Sequence, residues 1–424
     1  MAGKPEKLGP AFVNVVTANL ASSLGDGIAR IAMPLLVARL TDDPLLISML
    51  GALVLLPWLL FAIPAGILVD RVDRRMAMAV AQAFRMLLAA ALVVLVITDT
   101  ITIWWVLAAA FLYGAMETIY DSAIRAVLPS IVRKSQLPRA NSVIEGGELV
   151  VQSFLSAPLT SVLFVIAVAI PFGINGVVFA LAAGLALALP KAASGRQFAG
   201  TGNQPEAPWH RQFLDGVRFI RSNRMLSILW PFSTLVGLLC AAATSSLVLF
   251  VLGPLQVPEA WFGVFLLSGA AGGILGSVIT SRLKTWLGAG TAMAIASVLT
   301  GAAFLFMGLV PQTWAGALGF GLSSLAITVW NVLVMSLRQA VIPGRLLGRV
   351  HGTWRTLLWG TMPVGSLLGG LIGRIDLSLP FIIGGGAVAV LSLIMFRFLA
   401  SLPNPEDVDN GDPEAGPTEA HLVR

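Results

Sequence analysis

The chain is poor in charge: only 11% of its 424 residues are Asp, Glu, Lys or Arg. Soluble domains carry roughly 25%, so a water-facing globular surface is excluded over most of the length. A single cysteine, Cys240, excludes an intramolecular disulfide and a cysteine-rich metal site. The three histidines, His210, His351 and His421, are scattered, so no metal or other cofactor is expected. A nucleotide-binding loop and a nucleophile–base constellation are both missing, which argues against an enzyme. The pI of about 10.1 does not signal nucleic acid, because the basic residues sit in short segments between apolar runs and form no folded soluble patch.

Apolar residues are what the chain has in excess, at 57% with a mean hydropathy of +0.88. A bilayer core needs about 20 mostly apolar residues per helix. Runs between charged or Pro/Gly breaks predict spans near 11–39, 44–69, 76–98, 102–128, 138–165, 167–189, 225–251, 259–281, 288–310, 313–341, 348–373 and 377–400. The fold class is therefore all-α and polytopic, with twelve transmembrane helices. Spans five and six are nearly continuous, and their break is expected around Ile170-Pro171-Phe172-Gly173.

Lys and Arg in short loops orient such a protein. With a cytoplasmic N-terminus, Lys4, Lys7, Arg71, Arg74, Arg75, Arg133, Lys134 and Arg139 fall inside, followed by Arg282, Lys284, Arg345, Arg349 and Arg397. Outer loops keep Arg39 and Arg374 beside Asp42, Asp43, Asp99 and Glu259. Both termini are then cytoplasmic and the bilayer is the inner membrane. Residues 1–189 form one six-helix bundle, 190–224 a cytoplasmic linker, 225–400 a second bundle and 401–424 an acidic tail that reads as disordered. In the linker, WHRQFLDGVRFIRSN places Phe213, Val217 and Ile220 at helical spacing. That stretch is either a helix on the inner membrane surface or an extension of span seven.

The two halves overlay at an offset of 210 residues. Gly66 meets Gly276, Leu137 and Arg139 meet Leu347 and Arg349, and Tyr120-Asp121 meets Trp330-Asn331. Transporters built from two such halves alternate access by rocking one against the other around a midplane site.

GILVDRVDRR, residues 66–75, sets five charged side chains between spans two and three. Its Gly66-x-x-x-Asp70-Arg71-x-x-Arg74-Arg75 resembles the loop signature of the major facilitator superfamily, with Asp73 where the usual pattern has glycine. SSLGDGIARIAMPLL followed by LTDDP, LPRANSVIEGGELVVQSF and LRQAVIPGRLLGRVHGTWR are similar to the branch containing macrolide efflux proteins and the enterobactin exporter. The resemblance covers residues 11–400 and implies two pseudo-symmetric six-helix bundles and proton-coupled export of a moderately hydrophobic, drug- or siderophore-like small molecule. It also implies that Asp70 faces the N-terminus of span eleven near Gly348 to Gly352, with Arg71, Arg74 and Arg75 reaching acids or carbonyls of neighbouring helix ends. Together with Gly66 these form a cytoplasmic gate; simple positive-inside anchoring is the competing account. The antiporter-type GPxxGG motif reads Ser156-Ala157-Pro158-Leu159-Thr160-Ser161, keeping the proline and losing the glycines. An uncoupled facilitator or lipid flippase thus stays open, as does, from another class, a non-transporting receptor or scaffold.

An ionisable group at the bilayer centre costs a few kcal/mol and needs a reason. Asp26 lies midway along span one between Gly25 and Gly27, with Arg30 four residues on. In span four, Glu117, Asp121 and Arg125 repeat along one face, and Glu145 and Glu148 lie at similar depth in span five. Arg355 in span eleven and Arg85 in span three are the remaining buried cations. Burial disfavours a charged carboxylate and a nearby guanidinium favours it, so substrate arrival can move a proton on or off such an acid. The resemblance puts span one, and hence Asp26, on the transport cavity. Arg85 reads as structural, since helix three of this fold faces lipid and other helices. The competing account is that Asp26–Arg30 and Asp121–Arg125 are ion pairs that pin helices. The expected site thus comprises Asp26, Arg30, Glu117, Asp121, Glu145, Glu148, Trp330, Asn331 and Arg355, with Trp58, Phe154, Trp354 and Trp359 as further candidate walls. The expected partners are a small-molecule substrate, protons and the lipid bilayer, and the protein is expected to be monomeric.

Overall fold

The computed structural model describes residues 9–133, 136–190 and 209–408. The first half holds α1 (Pro10–Leu40), α2 (Pro44–Arg71), α3 (Arg74–Ile97), α4 (Ile103–Ile131), α5 (Leu137–Leu149), α6 (Ser156–Ile166) and α7 (Ala169–Leu187). A π-helical turn, Val150–Leu155, joins α5 to α6, so the three form one span. After α8 (Trp209–Ser222) come α9 (Arg224–Thr244), α10 (Leu247–Leu252), α11 (Glu259–Leu287), α12 (Ala289–Leu309), α13 (Thr313–Val341), α14 (Gly344–Gly373), α15 (Leu379–Ile394) and α16 (Phe396–Ala400). Among the described residues 11 helices are long and apolar enough to cross a membrane, and Leu379–Ile394 is a shorter apolar helix. α16 extends that last helix after Met395, giving the twelve-helix fold.

Local chemistry sets the helix ends. Asp43 caps α2 by accepting the Leu45 N–H at 3.0 Å, ahead of Pro44 at the first helical position. Asn223 caps α9 through the Met225 and Leu226 N–H groups. Span seven divides at Ser245-Ser246, where the Ser245 hydroxyl donates to the Ala242 carbonyl and Ser246 to Pro44. The break between spans five and six falls at Ala167-Val168, ahead of Ile170–Gly173. Pro171 sits in the first turn of α7, where its missing N–H leaves no helical bond unmade. In the π-turn, both the N–H and the hydroxyl of Ser156 donate to the Val151 carbonyl five residues back. The wider ring absorbs the geometry that Pro158 imposes one turn later.

The pairing of helices repeats. In the first half α2 packs on α4, α3 on α4 and α7, and α1 on α7; in the second, α11 packs on α13, α12 on α13 and α15, and α9 on α15. Across the halves α2 meets α14 as α6 meets α11. The helices Ile103–Ile131 and Thr313–Val341 keep the 210-residue offset at both ends. The hydrophobic core follows the same plan at one end only. One cluster runs through both halves, from Ile31, Leu36 and Phe172 to Phe250, Phe262 and Phe381. At the opposite end the core divides, one cluster drawing on residues 220–402 and the others on residues 12–189.

α8 lies against α14. Thr353 donates to the Phe213 carbonyl, Arg349 pairs with Asp215 at 3.3 Å, and Ile220 is fully buried. The linker residues before Trp209 lie outside the described residues. Residues 402–408, which composition assigns to the acidic tail, are docked: Asn404 caps α12 through the Ala289 N–H and Glu406 pairs with Lys284 at 2.7 Å. The rest of the tail, with His421, lies outside the described residues.

The repeat-related Gly66 and Gly276 differ in surroundings. A Cβ at Gly276 would lie 2.5 Å from the Leu325 carbonyl of α13, whereas Gly66 has open space. Gly276→Val is expected to cost about 1–3 kcal/mol by overpacking and to lower the unfolding temperature in detergent. Gly66→Ala should leave it within a degree or so of the parent.

Candidate functional site

The charges at membrane depth converge where α1, α3, α4 and α7 meet. Gly25 and Gly27 let α1 press against Phe179 of α7 and Ser156 of α6, contacts that any Cβ would block. That approach turns Asp26 toward α3, where its carboxylate forms an ion pair with Arg85. Arg85 is 1% exposed, stacks over Phe179 at 4.5 Å and Tyr113 at 5.6 Å, and approaches the Ser22 hydroxyl, to which Gln82 donates at 2.6 Å. Tyr113 donates to Asn175 at 2.8 Å, and Asn175 donates to the Gly25 carbonyl at 2.5 Å. One polar network thus ties four helices around a carboxylate.

A cavity of about 570 Å³ opens beside it, lined by Asp26, Arg30, Arg85, Tyr113 and Glu117 and by apolar walls that include Ile47, Val54, Val248 and Phe262. Glu117, one turn from Tyr113, has no hydrogen bond to the protein among the described residues. The structure corrects the pairing of Asp26: its partner is Arg85, while Arg30, one turn along α1, is exposed and faces the cavity. The sequence did carry a signal for Arg85. Met78, Gln82, Arg85, Ala89 and Leu92 recur at spacings of four and three, and all five are buried on one stripe of α3.

The other candidates lie elsewhere in the two halves. Asp121 pairs with Arg125 at 3.5 Å, and Arg355 lies within electrostatic reach of both. Arg355 also stacks on Trp359 of its own helix and on Trp58 of α2. Glu148 accepts from Asn19 of α1 at 2.6 Å, and Glu145 is exposed. Trp330 packs on Phe232 at 5.4 Å within the second half, Asn331 is exposed, and Trp354 is buried beneath Arg338. None of Asp121, Glu145, Glu148, Trp330, Asn331 and Arg355 lines the 570 Å³ cavity.

In the 66–75 loop, Asp73 caps α3 through the Arg75 N–H and also accepts from the Arg75 side chain at 3.0 Å. These bonds hold its carboxyl below the usual carboxylate range, the Arg75 guanidinium contributing most. Arg75 further donates to the Leu189 carbonyl after α7, and Arg74 to Ala126 of α4. Arg71 is exposed, and the Asp70 and Gly348 side-chain positions lie outside the described residues. Asp73 thus supplies a side-chain cap that a glycine lacks.

Charge also joins the halves at the end where the core is continuous. Arg39 at the end of α1 pairs with Glu259 at the start of α11 at 2.5 Å. Asp43 at the start of α2 takes two hydrogen bonds from Arg374 after α14, at 2.8 and 2.5 Å. Below them Ser366 donates to the Ser48 carbonyl and the Gly263 N–H to Ser161. These four charges, assigned to separate loops by the sequence, form two bridges.

Removing one partner of a buried ion pair leaves the other uncompensated, at about 3–5 kcal/mol. Arg85→Met alone should therefore destabilise strongly, and Asp26→Asn together with Arg85→Met should recover part of the loss. Thermal unfolding of the single and double variants in one detergent checks this coupling.

The comparisons with known proteins agree with this architecture. The family model described as transmembrane secretion effector matches residues 8–421. Macrolide efflux protein A of Streptococcus pyogenes is 20% identical over 389 residues, covering 90% of this chain and 94% of the relative. Among solved structures, a bacterial homologue of the iron transporter ferroportin in an inward-facing state superposes with a TM-score of 0.72 at 15% identity, covering 93% of this chain and all of that one. A nucleoside transporter, NupG, gives 0.71 at 14% identity over 92% of this chain and 99% of its own. With twelve spans, two repeated halves and a match along nearly its whole length, the chain belongs to the transmembrane secretion effector family of the major facilitator superfamily.

Proposed function

We propose that the protein is a secondary active exporter that moves a moderately hydrophobic small molecule outward by alternating access, coupled to proton entry. One observation carries the reading: a cavity with apolar walls holds a carboxylate locked to a guanidinium, Asp26–Arg85, and a second carboxylate, Glu117, without a hydrogen bond among the described residues. An acid that is unpaired can take a proton without breaking structure; an acid in a buried pair changes the packing of four helices when it does. In this reading Glu117 is the first proton acceptor and Asp26–Arg85 the element that responds. The efflux function of the Streptococcus relative supports the outward direction.

The same reading puts residues 39–43 and 258–259 at the outer face, both termini in the cytoplasm, and the bilayer in the inner membrane. The halves, 1–189 and 225–400, rock about the shared core, with 190–224 as the linker. In this reading the closed end is the outer one, and Asp70 meets the N-terminus of α14 when the cytoplasmic side closes. The protein works as a monomer. A second reading, an uncoupled facilitator, draws on the engagement of Asp26 by Arg85 and on the missing glycines at 156–161.

Internal pH of proteoliposomes under an imposed gradient tests the coupling, with lipophilic cations, siderophores and macrolides as the panel. Proton flux that depends on substrate and is lost in Glu117→Gln or Asp26→Asn is expected. Substrate movement with no proton flux, unchanged in both variants, would return these acids to a structural role.

The two bridges at the closed end provide a second test. Spin labels on Asp42→Cys and Ile375→Cys, in a Cys240→Ala background, should report one short distance in the parent. Asp43→Asn with Glu259→Gln should add a longer one. Hydrogen bonds from Arg374, aided by the Leu45 N–H, hold Asp43 below its ordinary 3.8. A lowered value means that the bridge's contribution is complete above that pH and is lost only as pH falls beneath it. The short distance should therefore persist from pH 8 to pH 5, and widening within that range would assign the latch to another group.

A further inference from the structure

A second cavity, about 520 Å³, lies between α1, the π-turn, α11 and α13, and shares Arg30, Ile31 and Leu266 with the first. Its polar lining is unusual. Arg30, Gln152, Ser153 and Ser324 all face it, and none has a side-chain hydrogen bond to the protein among the described residues. No acid lines it; Asp26 and Glu117 face the first cavity instead. The π-turn is what presents Gln152 and Ser153 here, because its wider ring rotates that stretch of the span relative to α5. Gly269 and Gly273 of α11 keep the opposite wall low, and Phe320, Ile327 and Leu266 close its apolar part.

Arg30 lines both cavities: it shares the first with Asp26 and Glu117, whereas in the second it meets only uncommitted amide and hydroxyl groups, an arrangement that can receive an oxyanion. We propose that this cavity binds the acidic group of the substrate, a carboxylate or comparable oxyanion held by Arg30, Gln152 and Ser153, while the apolar body of the same molecule extends past Ile31 and Leu266 into the first cavity. The inference rests on the exporter reading and narrows it to one class: amphiphiles that carry an acid. It also gives Arg30 a role that the Asp26 pairing left vacant.

Binding in nanodiscs tests it, using a dansyl-labelled twelve-carbon carboxylic acid, its methyl ester and the matching primary amine as fluorescent probes. The parent should bind the acid at least tenfold more tightly than the ester, and the amine no better than the ester. Arg30→Gln should bring acid binding down to the level of the ester, with circular dichroism of the same nanodiscs showing the variant to be folded. Arg30→Lys should keep most of the preference, and Gln152→Ala with Ser153→Ala should reduce it severalfold. Equal binding of acid and ester by the parent, tighter binding of the amine, or a preference that survives Arg30→Gln would each overturn the assignment. Flux of the acid probe in proteoliposomes separates the two readings. Selective binding without any flux overturns the exporter and keeps the site; flux of ester and acid alike keeps the exporter and overturns the site.

Discussion

The ion pair between Asp26 and Arg85 is the constraint around which the first half is built. Hydrocarbon offers neither charge any solvation, so each must be satisfied by protein. Much of the surroundings serves that need: two glycines allow the helix approach, two aromatic rings cover the guanidinium, Ser22 lies beside it, and Asn175 ties Tyr113 to the Gly25 carbonyl, although Arg85 Nε and Gln82 Oε1 have no hydrogen-bond partner among the described residues. Because these groups come from α1, α3, α4 and α7, the positions of four helices are set by one carboxylate. The second half has no counterpart. At the 210-residue offset Asp26 and Arg85 become Val236 and Ile295. The two halves share a fold and differ in what they can respond to.

That asymmetry extends to the cavities. One core cluster spans both halves at one end, and at the other each half has its own. The two cavities meet at Arg30, an exposed cation one helical turn from the pair. A ligand that bridges them touches both halves at once, and any motion of one half against the other changes its surroundings.

The fold was legible in the sequence because the signal is large: apolar runs of bilayer length, separated by charge, leave little choice of topology. The 210-residue repeat was equally visible, and α4 and α13 show why, since both are 29 residues long and begin at matching positions. The site was legible in part. Asp26, Arg30 and Glu117 stand out as charges at depth, and they share a cavity. The partner of Asp26 is not legible, because proximity in sequence favours Arg30, although the buried stripe from Met78 to Leu92 runs through Arg85. The repeat points to Trp330 and Asn331, and aromatic character also to Trp330, whereas the second half uses those positions for packing and exposure. The links at the closed end could not be read, since Arg39–Glu259 and Asp43–Arg374 join residues 220 and 331 positions apart. The π-turn leaves no periodic trace in six residues.

Each charge in the two bridges also sits at the helix end that suits it. Asp43 and Glu259 occupy N-termini, where free N–H groups favour an anion, while Arg39 lies in the last turn of α1 and Arg374 caps the C-terminus of α14, where carbonyls favour a cation. When the bridges part, none of the four is left stranded, because its own helix dipole already offers about 0.3–1 kcal/mol of compensation. The bond across the halves is thus cheap to open as well as specific to close, and the molecule gains a reversible clasp from residues already placed at helix ends.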